Sequence, residues 1–153
     1  MLTNSKTEPI LIVEDLEDDV LLLQMALKRN EVQGQVCIVS NGQEAVDYLR
    51  GLPPYDDRNK YPFPYIIYSD LKMPLMNGFE LLTWIKSHTD CSVIPFIILT
   101  ASAQESDVKR AFELGANAYL VKPSTLKELT EMIGKSLGFW EISQKPRPPE
   151  KCS

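Results

Sequence analysis

A chain of 153 residues, 44% of them hydrophobic, has the size and apolar content for one domain with a complete core. No apolar run approaches the ~18 residues of a membrane span. The formal net charge of -5 argues against a nucleic-acid surface, since phosphate binding wants a basic face. The opening "MLTNSKTEP" lacks the basic and then apolar build of a signal peptide, so the sequence points to a cytoplasmic protein. Cys37, Cys91 and Cys152 are far apart, odd in number and in no metal spacing, and read as free thiols in a reducing compartment. With His88 as its one histidine, the chain gives little support to a zinc site.

Along the chain, short apolar runs alternate with amphipathic segments. "PILIVED" predicts a strand, and "DDVLLLQMALKRN" a helix with Val20, Leu23 and Leu27 at helical spacing and basic residues in its last turn. "QVCIVS" is a second strand and "NGQEAVDYLRG" a helix opened by Asn41 and stopped by Gly51. The proline-rich "LPPYDDRNKYPFP" is a loop longer than most in compact domains. Then follow the strand "YIIYSD", a helix within "NGFELLTWIKSH", the strand "PFIILTA", a helix within "SDVKRAFELG", the strand "AYLVK" and a last helix in "STLKELTEMIGKSLG". This divides the chain into an N-terminal arm (1–8), one domain (9–138) and a tail (139–153) whose prolines and charges predict disorder in its distal part.

Five strand-then-helix units in strict alternation predict an α/β fold: a doubly wound five-stranded parallel sheet with helices on both faces. Right-handed crossovers place all strand carboxyl ends along one edge, where such sheets bind ligands. At that edge the first strand ends in Glu14 and Asp15, the third in Asp70, the fourth in Thr100 and the fifth in Lys122. Like charges this close repel unless a cation joins them, and an all-oxygen set suits a hard divalent ion, which points to Mg2+. Asp15 is the direct metal ligand in this reading, Glu14 acts through water, and Asp70 and the backbone carbonyl of Lys72 complete the shell. A carboxylate beside a metal, a lysine and a hydroxyl can attack phosphorus, and Asp70 is the candidate nucleophile. Lys122 supplies a point charge for a phosphoryl oxygen and Thr100 a donor for another. The turn "LKMPLMNG", with Pro74 and Gly78, follows Asp70 and frees the next helix. Taken singly, each feature has a plainer reading: Glu14 and Asp15 could join Glu17, Asp18 and Asp19 as an acidic cluster at a helix N-terminus. Their coincidence on the strand ends carries the argument.

On these motifs the chain resembles the response-regulator receiver domains of two-component signalling, over roughly residues 8 to 138. "LIVEDLEDD" resembles the acidic-pair segment, "YSDLKMPLMNG" the phosphoacceptor segment, "ILTA" the switch-threonine segment and "YLVKP" the lysine segment. The resemblance implies a flavodoxin-like fold, Asp70 as phosphoacceptor, Glu14 and Asp15 as acidic pair, Thr100 as switch hydroxyl, Lys122 as phosphate-binding lysine, Tyr119 as switch aromatic and a cis peptide before Pro123. The long loop and the ending "GFW" are similar to the stand-alone phytochrome-associated response regulators. Glu14–Asp15 departs from the common Asp-Asp pair, and Tyr68 is bulkier than the usual aliphatic residue. Tyr119 also reads as an ordinary core tyrosine. The implied function is a switch, not an enzyme, that accepts a phosphoryl group from a histidine kinase, and from a phytochrome kinase on the closer likeness. The expected output is protein contact, here a homodimer, with no nucleic acid or membrane involved. The alternative is a hydrolase with an aspartyl-phosphate intermediate, but such enzymes usually carry a second acid where this chain has Lys72.

Overall fold

In the computed structural model, which describes residues 7–88 and 90–153, aliphatic and β-branched runs form the strands β1 (Ile10–Val13), β2 (Val36–Val39), β3 (Ile66–Ser69), β4 (Phe96–Thr100) and β5 (Ala118–Val121). Between and after them lie the helices α1 (Glu17–Arg29), α2 (Gly42–Arg50), α3 (Gly78–Ser87), α4 (Glu105–Glu113) and α5 (Leu126–Ile142). Residues 1–6 of the expected N-terminal arm lie outside the described residues. The strands pair in parallel in the order β2-β1-β3-β4-β5. The central strands β1, β3 and β4 are buried along their whole length, so they carry no polar alternation.

Two core layers sandwich the sheet. Ile10, Ile12, Ile66, Tyr68, Ile97 and Leu99 face Leu23, Ala26 and Leu27 of α1 and Leu129, Ile133 and Leu137 of α5. Leu11, Val13, Ile67, Phe96 and Ile98 face α2, α3 and α4 on the other side. The buried stripe of α1 is Leu23, Ala26 and Leu27; Val20, which the spacing places on it, is half-buried near the start of the helix. Tyr68 fits because it lies in the first layer and its hydroxyl spans to the Ser136 hydroxyl of α5 at 2.7 Å. Burial pushes that phenol up to about 12, so it stays a neutral hydrogen-bonding group.

Local chemistry sets where the helices begin. The Asn41 side chain accepts from Glu44 N–H, Thr125 does the same for Glu128, and Asn77 and Glu80 form a reciprocal capping box. Gly51 ends α2 in the left-handed region, at φ 69°. Before α3 the chain makes a tight turn in which Met76 N–H donates to the Pro74 carbonyl across Leu75, at φ 64°. Gly78 then lets the helix approach the sheet, because a Cβ there would collide with the Asp70 carbonyl oxygen.

The tail differs from its expected disorder. Helix α5 continues past Gly138 to Ile142 and packs the half-buried Trp140 against the α1–α5 layer. Lys145 then donates to the Trp140 carbonyl at 2.7 Å and lies 3.6 Å from the buried Glu8 carboxylate. Arg58, in the long loop, donates to the carbonyls of Glu150, Tyr48, Leu49 and Tyr61 and so joins that loop to the tail. Cys152 N–H donates to the Leu49 carbonyl at 2.8 Å, and its side chain is buried in the α2–α3 layer. There it forms a disulfide with Cys91, with Cα atoms 5.7 Å apart, which corrects the reading of all three cysteines as free thiols; Cys37 is free. A separation of 61 residues hid the pair, because only the return of the tail makes them neighbours. Closing a loop of this length stabilises a fold by about 2–4 kcal/mol. Cys152→Ser, or a dithiol reductant added to the native chain, should therefore lower the melting temperature by on the order of 10 °C at every protein concentration. Differential scanning calorimetry on a dilution series checks this.

Candidate functional site

The parallel register delivers the polar residues together. Val13 of β1 pairs with Ser69 of β3, so the residues that follow, Glu14 and Asp70, emerge side by side. Thr100 pairs with Val121, which places Lys122 next to the end of β4. Glu14, Asp70 and Thr100 are buried, while Asp15 and Lys122 are half-buried. An open pocket of about 410 Å³ is lined by Asp19, Asp70, Lys72, Thr100 and Lys122, with Leu16 and the 101–104 loop.

The Lys122 ammonium is the hub. It donates to Glu14 Oε2 at 2.6 Å, Asp19 Oδ2 at 2.7 Å and Asp70 Oδ2 at 2.9 Å. Burial works against its charge, but its hydrogen bonds to Asp19, Glu14 and Asp70 outweigh burial and raise its pKa, so Lys122 remains an ammonium. Glu14 is different. Burial raises its pKa from the usual 4.5 to about 7, against the pull of Lys122 and with the help of the nearby Asp70 charge. The other Asp70 oxygen accepts from Leu71 N–H at 2.6 Å, which orients the carboxylate.

Glu14, Asp15 and Asp70 each bring a carboxylate oxygen within 4.8 Å of the others. Asp15 Oδ1 is buried without a hydrogen-bond partner, a costly arrangement for a carboxylate oxygen. Oxygen donors, excess negative charge and an orphaned carboxylate oxygen fit a divalent cation.

Thr100 borders the pocket and accepts a long bond, 3.4 Å, from Ser102 N–H. Tyr119 does not reach Asp70. Its ring packs on the α2–α4 side of the sheet, and its hydroxyl donates to the Ser102 carbonyl at 2.9 Å, so it grips the loop that Thr100 begins. Lys72 is exposed at the rim. The peptide before Pro123 is not cis; the cis X-Pro bond among the described residues is Pro53–Pro54. Trans is the intrinsically favoured isomer, and the adjacent Lys122 N–H keeps its ladder bond to the Thr100 carbonyl at 2.7 Å. Asp19 was legible only as part of an acidic helix start. Asp15 precedes the extended N-cap Leu16 and lies outside the helix, so no sequence spacing marks Asp19 as a partner of Lys122.

Comparison with known proteins agrees with this geometry. The model of the response regulator receiver domain matches residues 10–134. Response regulator Rcp1 of Synechocystis sp. is 36% identical over 131 residues, 86% of this chain and 87% of that protein. The crystal structure of the phosphorylated cyanobacterial phytochrome response regulator RcpA superposes with a TM-score of 0.84 at 32% identity, over 92% of this chain and 99% of the other. The Mn2+-bound form of Rcp1 superposes with a TM-score of 0.81 at 34% identity, over 92% and 99% of the two chains.

The raised pKa of Glu14 has a measurable consequence in metal-free protein. The folded state holds this proton more tightly than the unfolded state, so between pH 4.5 and about 7 folding takes up a proton. The contribution is present in full below pH 4.5 and is lost as pH rises through about 7. Glu14→Gln removes that slope. In chelator-treated protein, the melting temperature of the native chain should fall relative to Glu14→Gln across this window, as scanning calorimetry at several pH values would record.

Proposed function

The chain belongs to the response regulator receiver domain family, signalling switches that accept a phosphoryl group on an aspartate from a histidine kinase, and from that premise we propose that Asp70 is the phosphoacceptor. The observation that carries the reading is the Lys122 ammonium held against Asp70 beside Glu14 and Asp15, at the strand edge where this fold binds ligands. One Asp70 oxygen forms a bond to phosphorus as the P–N bond of the donor phosphohistidine breaks, and the electron pair leaves with the imidazole nitrogen. Lys122 offsets charge on the transferring oxygens of a loose transition state. Asp15, Asp70 and the Lys72 carbonyl would hold Mg2+, with Glu14 acting through water. When bound, the cation supplies positive charge that the clustered carboxylates and a phosphoryl group both require.

The Thr100 hydroxyl and Lys122 then read the product. Drawing Thr100 toward a phosphoryl oxygen pulls on the loop that holds Tyr119 through Ser102, which couples Asp70 to the surface formed by α4, β5 and α5. In this reading the protein is a switch and not a metabolic enzyme. Lys72 stands where an aspartyl-phosphate hydrolase would carry its second acid, which weakens that alternative. The likeness to a cyanobacterial phytochrome response regulator supports a phytochrome histidine kinase as donor, and in this reading the reaction takes place in the cytoplasm. Among the described residues no helix is long and apolar enough to cross a membrane.

The signal is read by a second copy of the chain. A groove of about 470 Å³ runs between β5 and α5, lined by Leu120, Met132, Phe139 and Trp140 among others. Phe139 is 56% exposed and Ile142 75%, so the apolar end of α5 is left partly unpaired. Ile142→Asp should weaken self-association at least tenfold with little change in monomer stability, measured by analytical ultracentrifugation with and without a phosphoryl mimic.

For the chemistry, acetyl phosphate with magnesium should label the native chain at Asp70, and Asp70→Asn should lose the adduct by mass spectrometry. Full labelling of Asp70→Asn would overturn the assignment. Asp15→Ala should bind magnesium at least tenfold more weakly by calorimetry while keeping its fold.

A further inference from the structure

An ammonium has three hydrogens, and in this site three carboxylate oxygens lie within reach of Lys122. Each hydrogen is therefore occupied before any phosphoryl group arrives. For Lys122 to hold a phosphoryl oxygen, one carboxylate must be released. The three differ in what release would cost. Glu14 has a side chain only 2% exposed, and leaving it bare strands a charge in the protein. Asp70 takes the phosphoryl group on one oxygen and keeps the other, so it need not leave Lys122. The Asp19 side chain is 29% exposed, so water can replace the ammonium there.

We propose that Asp19 is a positioning residue that holds Lys122 in the resting state and is the partner exchanged for the phosphoryl oxygen. This extends the reading of Asp70 as phosphoacceptor and rests on it. Asp19 sits in the first turn of α1 at the pocket wall, and its carboxylate and that of Asp70 both hold the Lys122 ammonium. Nothing in the helix itself needs this contact. Glu17 and Asp18 occupy the same first turn and already complement the positive end of the helix dipole. Asp18 is exposed and makes no ion pair with Lys122, which makes it the control for charge alone.

The affinity of a phosphoryl mimic tests the exchange directly. Removing the Asp19 charge frees one hydrogen of Lys122, so Asp19→Asn should bind beryllium trifluoride, at saturating magnesium, about 3–10-fold more tightly than the native chain. Asp18→Asn removes an equal charge from the same turn and should change that affinity less than about twofold. Asp19→Ser, which keeps an oxygen at the helix start, should behave like Asp19→Asn and serves if the amide variant does not fold. Calorimetric titration gives the constants, and a thermal melt confirms the fold of each variant. Equal shifts in Asp18→Asn and Asp19→Asn would show a general field effect and overturn the inference, as would unchanged or weaker binding in both Asp19 variants. A native chain that binds no mimic and takes no label at Asp70 would remove the phosphoacceptor reading as well, whereas a labelled native chain with an unaffected Asp19→Asn would remove this inference alone.

Discussion

One ammonium shared by three carboxylates organises the functional end of this molecule. Lys122 comes from the end of β5, Asp70 from the end of β3, Glu14 from the end of β1 and Asp19 from the first turn of α1, and contacts of 2.6 to 2.9 Å bring the four together. Without a positive charge there, the carboxylates would repel one another in a region where Glu14 and Asp70 have little water around them. Even with it, the site stays negative, and Asp15 keeps a buried oxygen without a partner. The carboxylates are thus only partly compensated, the electrostatic condition that suits a divalent cation.

The rest of the fold holds that arrangement in place. Parallel pairing of Val13 with Ser69 and of Thr100 with Val121 fixes which residues emerge together, and a one-residue slip would turn every side chain to the other face. Leu71 N–H orients the Asp70 carboxylate, and Gly78 lets α3 start directly over the Asp70 backbone. From the pocket, mechanical contact runs outward by one short route. Thr100 touches Ser102, Ser102 receives the Tyr119 hydroxyl, and Tyr119 lies on β5 with its ring on the α2–α4 face of the sheet. Packed cores deform little, so a loop with one long hydrogen bond at its base is where movement costs least.

The opposite end is closed by the tail. Arg58 spends its guanidinium on main-chain carbonyls of α2, the long loop and residue Glu150, with its face near the Tyr48 and Phe63 rings. Together with the Cys91–Cys152 bond, this ties the chain end to the layer under α2 and α3. The long loop is therefore ordered by what it packs against, and the tyrosines Tyr48, Tyr55 and Tyr61 stack around it.

The sequence by itself determined the alternation of strands and helices, the parallel sheet and the identity of the polar residues at its carboxyl edge. Those are local signals: apolar runs of strand length, asparagine and threonine caps, and polar residues placed just after each run. Tertiary structure alone decided who meets whom. Asp19 reads as one acidic residue among several until the start of α1 is set against β5, where it becomes a partner of Lys122. Cys91 and Cys152 read as unrelated thiols until the tail crosses to α2, and the proline-rich tail reads as disordered until Arg58 offers its donors to Glu150. Tyr119 could be core or switch by sequence, and its ring is in fact both packed and hydrogen-bonded to the loop after Thr100. The difference is physical: propensity and periodicity act within a few residues, whereas ion pairs, disulfides and buried hydrogen bonds depend on distances that exist only after the chain has closed on itself.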